Sequence, residues 1–135
     1  MGYDIKCVRV TLLQNPKAGR AEFSKKKLKR TLRAAGHKVT YQSTRERGWK
    51  KSLANSKNLV VVAGGDGTVG KVAQRLIGHR TPLAILPTGT ANNLARSLGF
   101  TDSVQESIEQ LRNGQPVGFD VGVARGPWGE RYFFE

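Results

Sequence analysis

Apolar residues follow two different spacings along this chain, and the change from one to the other predicts strands separated by helices. The run from Val8 to Leu13 is apolar and rich in β-branched residues, which predicts a strand ending at the Asn15-Pro16 turn. The segment from Arg20 to Ala35 instead has apolar residues at helical spacing, with Gly36 placed as its C-terminal cap.

The segment from Asn58 to Ala63 has the strongest strand pattern, and its continuous apolar character suits a strand buried on both faces of a parallel sheet. The other predicted elements are strand 38–42, helix 47–54, helix 68–77, strand 83–86, helix 91–98 capped by Gly99, helix 103–112, and a terminal hairpin of strands 118–124 and 131–134. Strand and helix alternate with short connections. We therefore expect one α/β domain over residues 1–135, with a three-layer, Rossmann-like parallel sheet and a terminal β-hairpin.

Three turns with unusual composition follow predicted strands: Asn15 to Gly19, Gly64 to Thr68, and Thr88 to Asn93. Ligands of open parallel sheets bind outside the carboxyl ends of the strands. All three turns are predicted to lie at that edge, which indicates a binding site there.

The second turn combines glycines with a carboxylate. Gly64, Gly65 and Gly67 allow a ligand to approach the backbone, and the helix beginning near Thr68 directs free amides at an anion. A carboxylate in such a turn would repel phosphate unless a cation stood between them, so Asp66 suggests a nucleotide bound with Mg²⁺. The alternative is a tight turn in which Asp66 only caps the helix.

The first turn offers a cation and backbone donors. Lys17 can place its ammonium beside phosphates, Gly19 and the following helix can present amides, and Asn15 carries an amide group. A plain Asn-Pro turn with a solvated lysine is the alternative.

The third turn contains Gly89, a predicted helix cap at Thr90, and two consecutive asparagines, Asn92 and Asn93. Capping explains Thr90 alone. Uncharged amides at the two following positions could bridge the turn and a ligand.

Asp120 is a charge placed inside the predicted apolar strand 118–124, which is costly unless the carboxylate is paired or bound to a metal. An arginine partner remains the structural alternative. His37 and His79 are expected at the surface, and no cysteine–histidine spacing indicates zinc.

The chain carries a formal net charge of +13. The segment from Lys17 to Lys51 contains 13 basic residues and two acidic ones, Glu22 and Glu46. Such a field attracts nucleic acid, an anionic membrane or phosphate-bearing ligands. A nucleic-acid module would leave the glycine turns unexplained, so we expect no specific nucleic acid. The chain has neither an apolar leader nor a run that could span a bilayer, which predicts a cytoplasmic protein.

Four segments resemble the diacylglycerol kinase catalytic domain family, which also covers sphingosine kinases and bacterial lipid kinases. They are Asn15–Gly19, Gly64–Thr68, Leu86–Arg96 and Phe119–Gly122. The Gly-Gly-Asp-Gly-Thr sequence also occurs in NAD kinases, and the third segment narrows the match to lipid kinases.

The resemblance implies transfer of the γ-phosphate of ATP to a lipid hydroxyl with Mg²⁺. The residues that it implies in nucleotide contacts are Asn15, Lys17, Gly65, Gly67, Thr68 and Thr90, with Thr44 nearby. It places Asp66 and Asp120 in a network of water and magnesium, as the candidate catalytic and metal residues. It also implies a lipid substrate at an anionic membrane surface to which the protein binds peripherally; a homodimer is one open arrangement.

Two departures from the family pattern matter. Asn93 stands where members commonly carry an aspartate, so any metal network must be weaker or must depend on Asp66 and Asp120. Members also continue into a second, β-rich domain, and we expect that domain, together with the general base, to lie beyond Glu135. An NAD kinase-like or other small-molecule kinase and a nucleotide-binding regulatory domain without catalysis remain the alternatives.

Overall fold

A computed structural model describes residues 9–17, 23–54, 59–111, 114, 117–118 and 120–133. The strands are β1 (Arg9–Gln14), β2 (Lys38–Ser43), β3 (Leu59–Gly64), β4 (Leu83–Pro87), β5 (Gly122–Gly126) and β6 (Gly129–Phe133). The helices are α1 (Lys25–Ala34), α2 (Trp49–Ala54), α3 (Asp66–Arg75), α4 (Asn93–Ser97) and α5 (Val104–Gln110). None of the helices in these ranges is both long and apolar enough to cross a bilayer.

The first four strands form a parallel sheet in the order β2-β1-β3-β4, and β5 pairs with β6 in an antiparallel hairpin. The register aligns the carboxyl ends of the parallel strands. Gln14 pairs with Ser43 and with Ala63, and Ala63 pairs with Leu86. The turns that follow these strands therefore leave the sheet from one row, as predicted.

The core lies on both faces of the sheet, which makes the fold a three-layer α/β structure. Every residue of β3 is buried. On one face, α1 and α5 cover the side chains of Val10, Leu12 and Val61. On the other face, α2, α3 and α4 pack over Leu13 and the alternate residues of β3. The expected fold class and the terminal hairpin are confirmed.

Several boundaries differ from the prediction. α3 begins two residues early because Gly65, in extended conformation, is its N-cap. Gly36 and Gly99 end their helices with φ of 96° and 85°, as expected. His37 is only 3% exposed, so its expected surface position is wrong. Its backbone amide donates to the carbonyl of Leu32 at the C-terminus of α1 at 3.2 Å.

Candidate functional site

The sheet has a point at which the chain reverses its direction of travel. From β1 the chain passes to β2 on one side and then returns to β3 on the other side of β1. In parallel sheets such a reversal leaves a crevice between the carboxyl ends of the two central strands. Here the turn after β1 and the turn after β3 border that crevice.

The turn after β1 is shaped by its own asparagine. The Oδ1 atom of Asn15 accepts a hydrogen bond of 3.2 Å from the backbone amide of Lys17, which gives the local ring of an Asx turn. Lys17 itself is exposed. Its ammonium is therefore accessible to solvent, and its contact with phosphate stays a prediction. Gly19 lies outside the described residues.

Gln14 anchors this turn, and sequence reasoning missed it. The side chain is 4% exposed, and its Nε2 atom donates to the carbonyl of Phe23 at 2.8 Å. The backbone carbonyl of Gln14 accepts from the amide of Thr44 at 2.9 Å, with the Thr44 hydroxyl 3.4 Å away. Gln14 thus connects the end of β1 to Phe23, which precedes α1, and to Thr44 in the turn after β2. A polar residue that ends an apolar strand was the available signal.

Tyr41 completes this anchor. Its hydroxyl donates to the Oε1 atom of Gln14 at 2.8 Å. Burial, and after it the negative charge of Glu46, raises the pKa of Tyr41 above the usual tyrosine value. The Nζ atom of Lys25 lies 4.6 Å from the ring centroid, in the geometry of a cation–π contact. The neutral phenol is therefore the form that the anchor uses.

The turn after β3 is compact because its first glycine has no room for a side chain. A Cβ atom on Gly64 would lie 2.8 Å from the Cβ of Thr68, which is itself almost buried. Gly67 is different, because a Cβ atom there would meet no atom of the described residues within 4 Å. The amides of the first turn of α3 have no intrahelical acceptor, so this end of the helix presents donors toward the crevice.

The turn after β4 is braced by Asn92. This residue is 6% exposed and adopts a left-handed backbone with φ of 54°. Its Oδ1 accepts from the amide of Gly89 at 3.0 Å, and its Nδ2 donates to the carbonyl of Gly89 at 2.8 Å. The side-chain amide of Asn92 therefore holds this turn together through the backbone of Gly89. The side chains of Asn93 and Thr90 are exposed, so they are available to a ligand.

Thr90 does not cap the helix, which corrects the prediction. α4 starts at Asn93, two residues later than expected, and its N-cap is Asn92. The backbone of Asn92 is left-handed and not helical, so α4 begins only after this residue. The side chain of Asn92 makes no capping hydrogen bond.

The second and third turns touch each other. A Cβ atom built on Gly89 would lie 2.3 Å from the Cα of Gly65, so the two backbones are in direct contact. Next to this contact, the Oδ1 atom of Asp66 accepts a hydrogen bond of 2.8 Å from the backbone amide of Leu94. Asp66 is half-buried and occupies the first position of α3, so the idea that it caps its own helix is wrong.

Asp120 does not lie in a strand, contrary to expectation. β5 begins at Gly122, and Asp120 is exposed in the segment before it. Because this carboxylate is solvated, it needs no arginine or metal to offset burial. It lies at a cavity of about 670 Å³ between α3, α4 and the residues Val117, Gly118 and Val121, whose wall is mostly apolar.

No group of three or more histidine, cysteine, aspartate or glutamate residues capable of holding a metal occurs within the described ranges. Asp66 is the carboxylate at the crevice. Mg²⁺ keeps several waters and is often held by one or two carboxylates together with substrate phosphates. The described residues thus fit a metal that arrives with a phosphate ligand, and they do not form a protein cage for a free ion.

The chain matches the family model described as the diacylglycerol kinase catalytic domain over residues 9–124. It is 30% identical over 131 residues to the curated diacylglycerol kinase of Bacillus subtilis (strain 168), covering 89% of this chain and 43% of that protein. It is 31% identical over 119 residues to a protein of Cronobacter sakazakii named probable lipid kinase YegS-like, covering 82% and 40%.

A solved structure of a diacylglycerol kinase from Bacillus anthracis str. Sterne superimposes with a TM-score of 0.64 at 28% identity. The superposition covers 90% of this chain and 47% of the other. The chain therefore spans less than half the length of the relatives and of the structure that it matches.

Proposed function

Because this chain belongs to the diacylglycerol kinase catalytic domain family, we propose that it is the nucleotide-binding part of an ATP-dependent lipid kinase. The reaction would transfer the γ-phosphate of ATP to a lipid hydroxyl. Phosphoryl transfer depends mainly on positioning and on stabilising charge at the phosphates. The contribution of this domain would be to hold the nucleotide in place.

The observation that carries the proposal is the arrangement at the crevice between β1 and β3. The exposed Lys17 stands on one side, and the free amides at the start of α3 stand on the other. Both groups favour an anion, the first through its charge and the second through N–H donors and the helix dipole. A polyphosphate chain is the ligand class that uses both.

The second turn also has space that the fold does not use. Gly67 is exposed within α3, where glycine weakens a helix, and a Cβ atom there would contact nothing in the part of the chain that the structure describes. The protein interior therefore gives no reason for glycine at this position. Space for a phosphate or ribose against the backbone supplies a reason.

Mg²⁺, when bound with the nucleotide, would neutralise phosphate charge. The Oδ2 atom of Asp66 makes no hydrogen bond within the described part of the chain, whereas Oδ1 is engaged by Leu94. Asp66 can thus offer one oxygen to a metal–water shell. Asn93, exposed next to it, can contribute an amide oxygen but no charge. Asp120 is exposed. Its carboxylate would take part in the metal network only if a bound ligand or a further part of the protein extended the site to reach it.

A membrane-facing surface is the second part of the proposal. α1 carries six cations and no acid among its ten residues: Lys25, Lys26, Lys27, Lys29, Arg30 and Arg33. Leu28 and Leu32 are the buried residues of α1 and lie on the side of the helix that packs against the core. Each cation near an anionic lipid surface contributes about 1 kcal/mol, so this face suits peripheral binding to a membrane that contains the lipid substrate.

The acceptor site would lie outside this domain. Among the described residues, Asp66 is the carboxylate placed beside the turns at the crevice, and no group of three or more histidine, cysteine, aspartate or glutamate residues could hold a metal. We therefore propose that the general base and the acceptor wall belong to a second, β-rich domain, and that this chain alone has no measurable lipid kinase activity. A homodimer stays an expectation from the resemblance. An NAD kinase-like activity is not favoured, since the family model and the curated relatives are of the diacylglycerol and lipid kinase type.

The nucleotide proposal is tested by calorimetry with ATP and Mg²⁺ on the chain and on Lys17→Ala. Loss of a charge-assisted contact should weaken binding about tenfold. Lys71→Ala is the matched control, because Lys71 is also exposed but lies farther along α3. Equal affinity of the wild type and Lys17→Ala for ATP would remove the first turn from the site.

The membrane proposal is tested by co-sedimentation with vesicles containing phosphatidylserine. Lys26→Glu together with Arg30→Glu should weaken binding at least about tenfold and leave ATP affinity unchanged. Lys71→Glu with Arg75→Glu makes the same charge change on another exposed helix face. If both pairs weaken vesicle binding equally, net charge and not the α1 face is responsible.

A direct assay tests the claim about activity. The chain is incubated with labelled ATP, Mg²⁺ and micelles of diacylglycerol or of a sphingosine-like lipid, beside a full-length relative such as the Bacillus subtilis enzyme. Turnover by the chain near the rate of the longer enzyme would contradict the two-domain proposal.

A further inference from the structure

The first turn of α4 has no cap of its own. Asn92 precedes the helix in a left-handed conformation, and its side chain is committed to the backbone of Gly89. The first amides of a helix have no intrahelical acceptor and need one from elsewhere. Leu94, at the second helical position and 6% exposed, would otherwise bury an amide without a partner.

The missing acceptor comes from another helix. The Oδ1 atom of Asp66, 28 residues earlier in the chain, accepts the amide hydrogen of Leu94 at 2.8 Å. A carboxylate that accepts from a backbone amide makes a charge-assisted bond, and a negative charge is favoured at a helix N-terminus. The carboxylate of Asp66 therefore lies at the N-termini of both α3 and α4.

A second contact lies beside the first. The backbones of Gly65 and Gly89 touch so closely that a Cβ atom on Gly89 would come within 2.3 Å of the Cα of Gly65. Glycines alone permit this approach but do not hold it. The hydrogen bond from Leu94 to Asp66 provides the attraction.

We propose that Asp66 is a positioning residue whose Oδ1 atom clasps the turn after β4 onto the turn after β3. The two turns then form one rigid unit, and the exposed Thr90 and Asn93 keep a fixed place relative to the amides of α3. The clasp is a property of the fold; only its consequence for a nucleotide rests on the proposed function. It assigns different tasks to the two oxygens, Oδ1 to the clasp and Oδ2 to the ligand side.

The test is hydrogen exchange of individual amides, measured by NMR on the whole chain without nucleotide. Asp66→Asn keeps an acceptor oxygen at the same place, and Asp66→Ala removes it. The amide of Leu94 should exchange slowly in the wild type and in Asp66→Asn, and about tenfold faster in Asp66→Ala. The amide of Leu98, bonded to the carbonyl of Leu94, is the internal reference.

Asp102→Ala is the matched control. It removes a carboxylate that pairs with Arg96 of α4 at 2.9 Å but lies away from Leu94. It should leave the exchange of Leu94 unchanged. Equal protection of Leu94 in Asp66→Ala and the wild type would overturn the clasp, and so would fast exchange of Leu94 in the wild type, a result that needs no variant to fold.

Calorimetry with ATP and Mg²⁺ on the same variants separates the clasp from the proposed function. Asp66→Asn should bind the metal–nucleotide complex more weakly while Leu94 stays protected. Unchanged affinity in Asp66→Asn would count against the metal role and leave the clasp standing. Loss of protection in Asp66→Asn equal to that in Asp66→Ala would show that charge, and not the acceptor at Oδ1, holds the turn, which overturns the geometry proposed here.

Discussion

The turn after β1 and the pair of turns after β3 and β4 are held in place at opposite ends. The first turn is fixed at its base, where the buried Gln14 joins Phe23 and Tyr41, and its Lys17 extends into solvent. The other two are fixed near their tips, by the contact between Gly65 and Gly89 and by the bond from Leu94 to Asp66.

This difference divides the recognition of an anion between two kinds of group. Backbone amides at a rigid turn are already oriented, so a ligand that binds them loses little free energy to ordering the protein. A lysine on a turn fixed only at its base adjusts its position at the cost of side-chain entropy. The crevice thus pairs a fixed wall with an adjustable cation.

The largest expected effect breaks the fixed wall. Gly89→Ala should destabilise the chain by about 2 to 3 kcal/mol, since its Cβ atom cannot fit against Gly65 unless the two turns separate. Urea denaturation followed by circular dichroism measures the change. Leu94 should also lose protection in this variant, because the clasp cannot span separated turns.

Gly65→Ala is the control for that prediction. It adds the same methyl group on the facing glycine, but there the Cβ atom meets the Cα of Gly89 at 3.4 Å, an ordinary contact, and the backbone is extended. Its stability should fall by no more than about 1 kcal/mol, a loss that comes from alanine being a poorer N-cap than glycine. Equal losses in the two variants would contradict the asymmetric contact.

The next effect loosens the base of the first turn. Gln14→Ala removes two hydrogen bonds of 2.8 Å from a buried position and should cost about 1 to 2 kcal/mol. Gln42→Ala is the comparison, because within the described ranges the side chain of Gln42 bonds to its sequence neighbours Ser43 and Glu46. If both variants lose the same stability by urea denaturation, Gln14 is not an anchor.

A smaller effect separates stability from binding. Gly67→Ala should stabilise the chain by about 0.5 to 1 kcal/mol, since alanine favours a helix and its Cβ atom meets none of the described residues within 4 Å. The same variant should bind ATP more weakly, because the methyl group occupies space proposed for the ligand.

Gly70→Ala tests that interpretation on the same helix. Its Cβ atom also has open space, but it lies one turn farther from the N-terminus of α3. It should gain similar stability without losing ATP affinity. Equal losses of affinity, measured by calorimetry, would show that the effect comes from the helix and not from the space at Gly67.

The smallest effect concerns pH at the base of the first turn. The pKa of Tyr41 is raised in the folded state, so the folded chain holds the phenol proton more tightly than the unfolded chain. That contribution to stability is complete below the ordinary tyrosine pKa and is lost as pH rises above it. Tyr41→Phe should therefore lose less stability than the wild type as the pH rises above about 10. Equal slopes in thermal melts would contradict the raised pKa.

The sequence predicted the α/β fold and the three turns because those features are written in local patterns. Apolar runs, helical spacing and glycines at turns each occupy a few neighbouring residues, and Gly36 and Gly99 end helices as expected. The start of α4 was not predicted, because its N-cap is the left-handed Asn92 and not Thr90, whose residue type favours that position.

The roles of Asp66, Gln14 and Asp120 depend on neighbours that are distant in sequence. Nothing near Asp66 indicates that its oxygen would meet the amide of Leu94. Gln14 contacts Tyr41 only because β1 and β2 pair in a given register. The apolar neighbours of Asp120 predict a strand, but β5 begins at Gly122 and Asp120 lies before it. The sequence pattern identifies candidate residues. The packing of segments that are distant in sequence decides which atoms their side chains contact.

The central position of β1 has a consequence for the order in which this chain folds. Val10 pairs with Leu59 and Leu13 pairs with Val62, although α1, β2 and α2 lie between the two strands in the sequence. Such non-local pairing is slow, since loop closure precedes the contacts that stabilise it. During synthesis, β1 leaves the ribosome well before its partner β3. Under the proposed function, the nucleotide crevice exists only after these two strands have paired, so ATP stabilises chains that have completed this step and no earlier intermediate.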